Sequence, residues 1–336
     1  QNMKAHSLFL LMITSLMFLA GCGKPNDPET IVVPESDYKV VRKLPTPGYA
    51  QDLVLDDSKL YISQGEGGLL IVDAADPENP AIISQLTEDV RGYSTKICLR
   101  DSLVYLAAGS FGVTVIDVKD ALNPVVTVSN LNMKPAKNLH ITGNYLYTAV
   151  SEQGIKIAEL SYPQQPDIRG ALSTSGYATG ITTSADTSRL FVACGEMGLT
   201  ILDISDFQDG YPETVPYGWC DTPGYAEDVV LDETHSLAFV ASGTSGLQII
   251  DYSDTTNVHI VGSIVTGGYA KELLYSDHKV YMTAEKSGLI VIDVTDPSDP
   301  EIIGTVDTEF ALGIAMDNSF IYIADEVEGL IVVSKP

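Results

Sequence analysis

Short apolar runs of about five residues recur along the chain, each closed by turn residues, and none sustains a helical period. DLVLD (52–56), LYIS (60–63) and LLIVD (69–73) are rich in Leu, Ile and Val, so each reads as a strand. A fourth run, AIISQL (81–86), follows the punctuation DAADPENP. In such punctuation aspartate bonds its own backbone and proline fixes φ, which makes a tight connection. Later stretches repeat the order, with DVTDPSDP before EIIGTV and DYSDTTNV before HIVGSIV. Apart from the extreme amino terminus, no segment carries an amphipathic helical pattern over three turns, so the body is expected to be all-β.

Aligned on the element GYA, the units start at Gly48, Gly92, Lys134, Gly176, Gly224, Gly268 and Glu309, and successive starts lie 44, 42, 42, 48, 44 and 41 residues apart. A period in the low forties built from strands alone is the mark of propeller blades. The seventh unit, EFALGIAMDNSFIYIADEVEGLIVVSKP, ends after its third strand, and YKVVRKLPTPGYA, starting at Tyr38, supplies a matching fourth. An open ring would leave unpaired backbone groups at its two edges. The expected fold is therefore a seven-bladed β-propeller of four-stranded antiparallel blades. The amino-terminal strand, Tyr38 to Leu44, closes the ring by completing the carboxy-terminal blade.

The endings GLLIVD, GVTVID, GLTILD, GLQIID and GLIVID, with D-x-x-D-P-x-x-P punctuation in full behind GLLIVD and GLIVID, resemble the LVIVD repeat of bacterial and archaeal cell-surface proteins. Unit three departs, with IKIAELSYPQQP lacking the closing aspartate, and unit four carries the insertion DFQDGYPETVPYGWCDTP. The resemblance implies a surface-exposed propeller and no reaction, since it brings no catalytic motif that could be placed on these residues.

The amino terminus changes the picture of where such a body would sit. Lys4 precedes an apolar run from Leu8 to Leu19, and Leu19-Ala20-Gly21-Cys22 follows. This is a secretory pattern with a small-residue cleavage site, and its ending resembles the bacterial lipobox, in which the cysteine is lipidated. The run is short for a bilayer-spanning helix. The organisation expected is a lipoprotein signal peptide over 1–21, lipidated Cys22 and a polar, proline-rich tether over 22–37, and the propeller over 38–336. The destination is the bacterial envelope, as a lipid-anchored protein at the cell surface or in the periplasm.

A net charge of -26 with 19 basic residues excludes a nucleic-acid partner, because such binding depends on cations that neutralise phosphates. The histidines share no repeat position: His140 falls in a first strand, His235 and His278 in turns, and His259 in a fourth strand. They show no metal-ligand spacing. No nucleophile elbow occurs. No cofactor is expected, and a divalent cation stays an open alternative.

In a propeller the loops before strand one and those between strands two and three share one face, and loops on a rigid scaffold are where binding sits. The fifth position of each unit, on the innermost strand, reads Asp52, Lys96, Asn138, Gly180, Asp228, Glu272 and Gly313. One reading makes Asp52, Lys96, Asn138, Asp228 and Glu272 a polar pocket at the channel mouth, with Glu66, Glu152, Glu196 and Glu285 on surrounding turns. The other has the carboxylates bonding backbone groups of neighbouring blades, and it is favoured because repeated residues first serve the repeated frame. The tyrosines Tyr49, Tyr93, Tyr177, Tyr225 and Tyr269 divide between a binding rim and interblade packing in the same way. Less regular residues, Phe111, Met197, Tyr217 and Trp219, are candidate contacts on the loop face. Cys194 and Cys220 are a candidate disulfide. These features favour a non-enzymatic module for a protein, peptide or glycan. A carboxylate- or metal-dependent hydrolase or lyase at the channel mouth, or an architectural part of an envelope complex, are the alternatives.

Overall fold

The computed structural model describes residues 36–205 and 216–336. The segment expected to be a signal peptide, Cys22 and most of the expected tether lie outside the described residues. Each sheet has four antiparallel strands, consecutive in the chain in six sheets, while the seventh adds the first strand to the last three.

After β1 (Lys39–Leu44), the first blade holds β2 (Asp52–Asp56), β3 (Lys59–Ser63), β4 (Leu69–Asp73) and β5 (Ala81–Leu86), in that order from the axis outward. Blade two is β6 (Lys96–Arg100), β7 (Leu103–Ala107), β8 (Val113–Asp117) and β9 (Val125–Leu131). Blade three is β10 (Asn138–Thr142), β11 (Tyr145–Ala149), β12 (Ile155–Glu159) and β13 (Asp167–Leu172). Blade four is β14 (Gly180–Thr183), β15 (Arg189–Ala193), β16 (Leu199–Asp203) and β17 (Pro216–Cys220). Blade five is β18 (Asp228–Asp232), β19 (Leu237–Ala241), β20 (Leu247–Asp251) and β21 (His259–Ile264). Blade six is β22 (Leu273–Ser276), β23 (Lys279–Thr283), β24 (Leu289–Asp293) and β25 (Glu301–Val306). Blade seven joins β26 (Ala311–Met316), β27 (Phe320–Asp325) and β28 (Gly329–Ser334) to β1 (Lys39–Leu44).

The innermost strands touch in cyclic order, from β2 through β6, β10, β14, β18, β22 and β26 back to β2. Strand β1 pairs with β28 from Lys39 opposite Ser334 to Leu44 opposite Leu330. The expected closure is thus present, and it gives the last blade the same four strands as the others.

The core is seven layers rather than one. In one of them, Leu53, Leu60 and Val72 of blade one pack on Tyr322, Leu330 and Val332 of blade seven. In another, Phe239, Leu247 and Ile249 of blade five pack on Val280, Met282 and Ile290 of blade six. A sheet covered on both faces needs apolar residues at consecutive positions, not alternate ones. That is why LLIVD, VTVID and LTILD read as unbroken runs, and their first four residues are all buried.

The closing aspartates are turn formers. Oδ1 of Asp251 accepts the Ser253 backbone N–H at 2.7 Å, and Oδ1 of Asp254 accepts that of Thr256 at 2.9 Å. Asp293 and Asp296 do the same for Thr295 and Ser298 at 2.8 and 3.0 Å. These bonds satisfy backbone donors in a tight turn. In unit three Glu159, one methylene longer, instead holds the Arg169 guanidinium, with Nε 2.8 Å away, and the Ser161 hydroxyl.

Candidate functional site: the channel mouth

The GYA entrances and the turns between second and third strands lie together at one end of the ring. Six of the seven turns bridge to the entrance of the next blade, as in Gly65 with Ser94, Gly109 with Ala136 and Gly195 with Ala226. The small third position of the element, Ala136, Ala178, Ala226 and Ala270, is fully buried under these bridges. The tyrosine before it lies over the preceding blade's turn. A Cβ on Gly65 would stand 2.7 Å from the Tyr93 ring, and one on Gly195 would stand 2.9 Å from that of Tyr225. Both glycines have positive φ, at 58° and 57°, so the turn needs glycine for its backbone as well as for the ring above it. The tyrosines therefore pack between blades, while their hydroxyls stay at the rim. Tyr269 donates to Glu227 at 2.9 Å, and burial with this bond holds its phenol pKa above the ordinary value.

At the fifth position the structure gathers the expected residues around the axis and gives them two kinds of work. Asp52 Oδ1 accepts the Leu53 N–H at 2.8 Å, and Oδ2 accepts the Ile97 N–H of the next blade at 3.0 Å. Asp228 repeats this toward Leu273 of blade six at 3.0 Å. Each aspartate staples its blade to the following one, and each needs room from the blade before. A Cβ on Gly313 would stand 2.6 Å from Asp52 Cα, and one on Gly180 would stand 2.6 Å from Asp228 Cα. The two gaps in the charged ring are thus the space that two aspartates occupy.

Lys96 does something the frame does not require. From blade two it reaches across the axis to blade six, with Nζ 2.5 Å from Glu272 Oε2, and it stands 3.7 Å from Asp52 Oδ2. Burial alone would lower its pKa, but Asp52, Glu272 and Asp228 together outweigh that and hold it above its usual value. Burial, then the neighbouring Asp52 charge, raises Glu272 well above the ordinary carboxylate range despite Lys96. Burial raises Asp228 too. Asp52, Asp228 and Glu272 thus share a poorly hydrated space with a single lysine, which cannot neutralise all three.

Above this floor opens a cavity of about 410 Å³. Its walls come largely from the fourth position of each unit, including Gln51, Thr95, Lys137, Thr179, Glu227 and Lys271, with Tyr177 and Tyr225 at the rim and Lys96 and Asn138 below. The sequence signal for this wall is the fourth position itself, whose Gln, Thr, Lys, Thr, Glu, Lys and Leu vary as much from unit to unit as the fifth. Lys271 is paired to Glu227 at 3.2 Å and lies 5.5 Å from the Tyr269 ring centroid. Glu66, Glu152 and Glu196 are exposed on the surrounding turns, and Glu285 is half-buried. Farther along the innermost strands, Val54, Cys98, His140 and Met316 line another cavity, of about 490 Å³. Burial lowers the His140 pKa to about 4 there, and its Nε2 lies 3.0 Å from the Thr183 hydroxyl.

The irregular aromatic residues do not form one patch. Trp219 donates from Nε1 to the Met197 carbonyl at 2.8 Å, so these two stand together on blade four, 47% and 45% exposed. Phe111 occupies the equivalent turn on blade two, against the position of Gly92. Tyr217 sits farther along β17, with the Arg189 guanidinium 4.8 Å from its ring centroid. Arg189 begins β15 at the end remote from the turns, so Tyr217 is displaced from the loop face where it was expected. The disulfide between Cys194 and Cys220 is not formed, and both are buried free thiols. The two side chains enter different interblade layers, Cys194 the one toward blade three and Cys220 the one toward blade five. Among the described residues, no group of three or more His, Cys, Asp or Glu side chains is placed to hold a metal ion.

Residues 47–87, 135–174, 176–207, 223–266 and 267–308 match the LVIVD repeat, more than half of the chain. The chain belongs to the LVIVD-repeat family. The five matched stretches correspond to blades one, three, four, five and six, and the two unmatched LVIVD-like blades are the second and the ring-closing seventh. No curated protein matches the chain. Among solved structures it is similar to a chain of the mitotic checkpoint complex, at 15% identity and TM-score 0.70 over 94% of this chain and 98% of that one. The WD40 β-propeller domain of Doa1 matches at 10% identity and TM-score 0.66, over 90% and 98%. The computationally designed Ika8 protein matches at 8% and 0.60, over 88% and 100%. These likenesses are of fold alone.

Proposed function

We propose that this LVIVD-repeat propeller is an exported, lipid-anchored binding module of the bacterial envelope, which takes a protein, peptide or glycan ligand at the channel mouth and the loops around it. One observation carries the reading: among the polar groups lining the mouth cavity, the Lys137 ammonium and the Asn138 NH₂ are left unused by the frame, while the floor carboxylates are already engaged. Lys137 forms no ion pair or side-chain hydrogen bond among the described residues, and the Asn138 amide uses only Oδ1, on the Leu139 N–H at 2.7 Å. Pockets of this size with a few convergent polar groups and aromatic walls are the usual form of a ligand site. Because Asp52 and Asp228 bond backbone amides and Glu272 holds Lys96, the carboxylates serve the ring, which favours binding over carboxylate catalysis. The lipid anchor rests on the apolar run Leu8 to Leu19 followed by Leu19-Ala20-Gly21-Cys22.

Peptide and glycan arrays probed with the full chain carrying Cys22→Ser test the site. Hits are expected to vanish with Lys137→Met or Tyr225→Ala, and hits indifferent to both would place binding elsewhere. For the anchor, the unsubstituted chain should incorporate radiolabelled palmitate and partition with membranes, and Cys22→Ser should abolish both. Labelling that survives the substitution would refute it.

A further inference from the structure

Charge at the mouth is sorted by radius. The ammonium groups of Lys96, Lys137 and Lys271 line the cavity, whereas Glu66, Glu152 and Glu196 stand exposed on the encircling turns. Two of the lysines are neutralised, Lys96 by Glu272 and Asp52 and Lys271 by Glu227. Lys137 is left over. Next to it Asn138 is only 9% exposed, and no acceptor meets its Nδ2 among the described residues. An amide NH₂ and an ammonium that line one cavity without a protein acceptor fit a carboxylate, which accepts hydrogen bonds and carries the opposite charge. The Tyr177 and Tyr225 hydroxyls add donors to the same wall.

The surroundings narrow the ligand further. Glu152 and Glu196 act electrostatically on Tyr225, so the acidic turns adjoin the aromatic wall. A polyanion would meet these carboxylates before it reached Lys137, and a simple cation would gain nothing from the lysines inside. A ligand with one carboxylate at its tip and positive charge behind it satisfies both zones, and positive side chains can also lie against tyrosine faces.

We propose that the mouth captures the free carboxyl terminus of a basic peptide or protein. The terminal carboxylate meets Lys137 and Asn138, and lysine or arginine side chains just upstream meet Glu152, Glu196 and the rings of Tyr177 and Tyr225. The inference rests on the mouth-binding reading above and specifies its ligand.

Fluorescence anisotropy with the full chain carrying Cys22→Ser provides the test, using three labelled heptapeptides: a basic one with a free carboxyl end, the same peptide amidated, and an acidic one with a free carboxyl end. The basic free acid should bind at least tenfold more tightly than either of the others. Lys137→Met should remove that advantage without changing the melting temperature, and Glu196→Gln should flatten the salt dependence. Equal binding of acid and amide, both lost with Tyr225→Ala, would overturn this inference and leave the mouth site standing. Failure of all three peptides would also overturn it. The mouth reading itself falls only if array hits survive both Lys137→Met and Tyr225→Ala.

Discussion

Replacing Lys96 by methionine removes the one cation on the channel axis and keeps most of the side chain's volume. At about 4 Å and an effective dielectric of about 20, each of its contacts is worth roughly 4 kcal/mol before desolvation is subtracted. Removing one partner of a buried pair leaves an uncompensated charge and costs about 3 kcal/mol net, at the low end of what such losses show because a carboxylate can escape by taking up a proton. In a domain of this size that lowers the melting temperature by about 6 °C. The pH dependence follows from the raised values of Glu272 and Asp228. A carboxylate whose folded pKa is raised supports folding fully below its unfolded value, near 4, and loses that support as pH rises through the folded value. Without Lys96 both values climb further, so the deficit of Lys96→Met should be complete at neutral pH and small near pH 4. Lys96 itself is charged throughout that window. Adding Glu272→Gln to Lys96→Met should recover part of the loss at neutral pH, since it deletes the stranded charge. Thermal melts followed by circular dichroism at both pH values decide the matter. A deficit equal at pH 4 and pH 7, or no recovery in the double variant, would refute the argument.

Gly313→Val and Gly180→Val should each destabilise by about 2 kcal/mol, because the added atoms meet the backbone of Asp52 or Asp228. Gly109→Ala, with nothing within 4 Å but φ at 55°, should lose only about 1 kcal/mol. Urea midpoints that rank the three equally would contradict this. Deleting residues 38–44 exposes the edge of β28 and should cause self-association on size-exclusion chromatography, whereas a monomer with unchanged melting would show that β1 is dispensable. Unfolded in urea without reductant, Cys98, Cys194 and Cys220 should all react with a maleimide, and a need for reductant would mean that a disulfide exists after all.

The frame was legible because it is written seven times. The period, the apolar runs and the GYA element fixed blade number, strand order and closure, and all of these are present. What the repeat could not convey is how neighbouring units divide a shared space. Gly180 and Gly313 look like empty places in a column of charged residues, yet each is the clearance for an aspartate one blade later. The wall of the cavity is harder to read, because Lys137 and Glu227 stand one residue before β10 and β18, where no strand pattern marks them. Cys194 and Cys220 lie near each other in the chain's two-dimensional layout, but a sheet has two faces and they leave from opposite ones. Tyr217 and Trp219 are two residues apart, and the register shift between Ile201 and Leu202 lies beside Tyr217.

The closure of the ring also has a consequence in time. The residues of β1 are among the first of the body to be synthesised, and their partners on β28 are the last, with 295 positions between Lys39 and Ser334. At 5–20 residues per second, roughly 15–60 s pass before the pair can form. For that interval β1 must wait alone without recruiting another chain's edge. Its sequence, KVVRKL, is suited to waiting: Lys39, Arg42 and Lys43 place three positive charges on six residues in a chain that is otherwise poor in them.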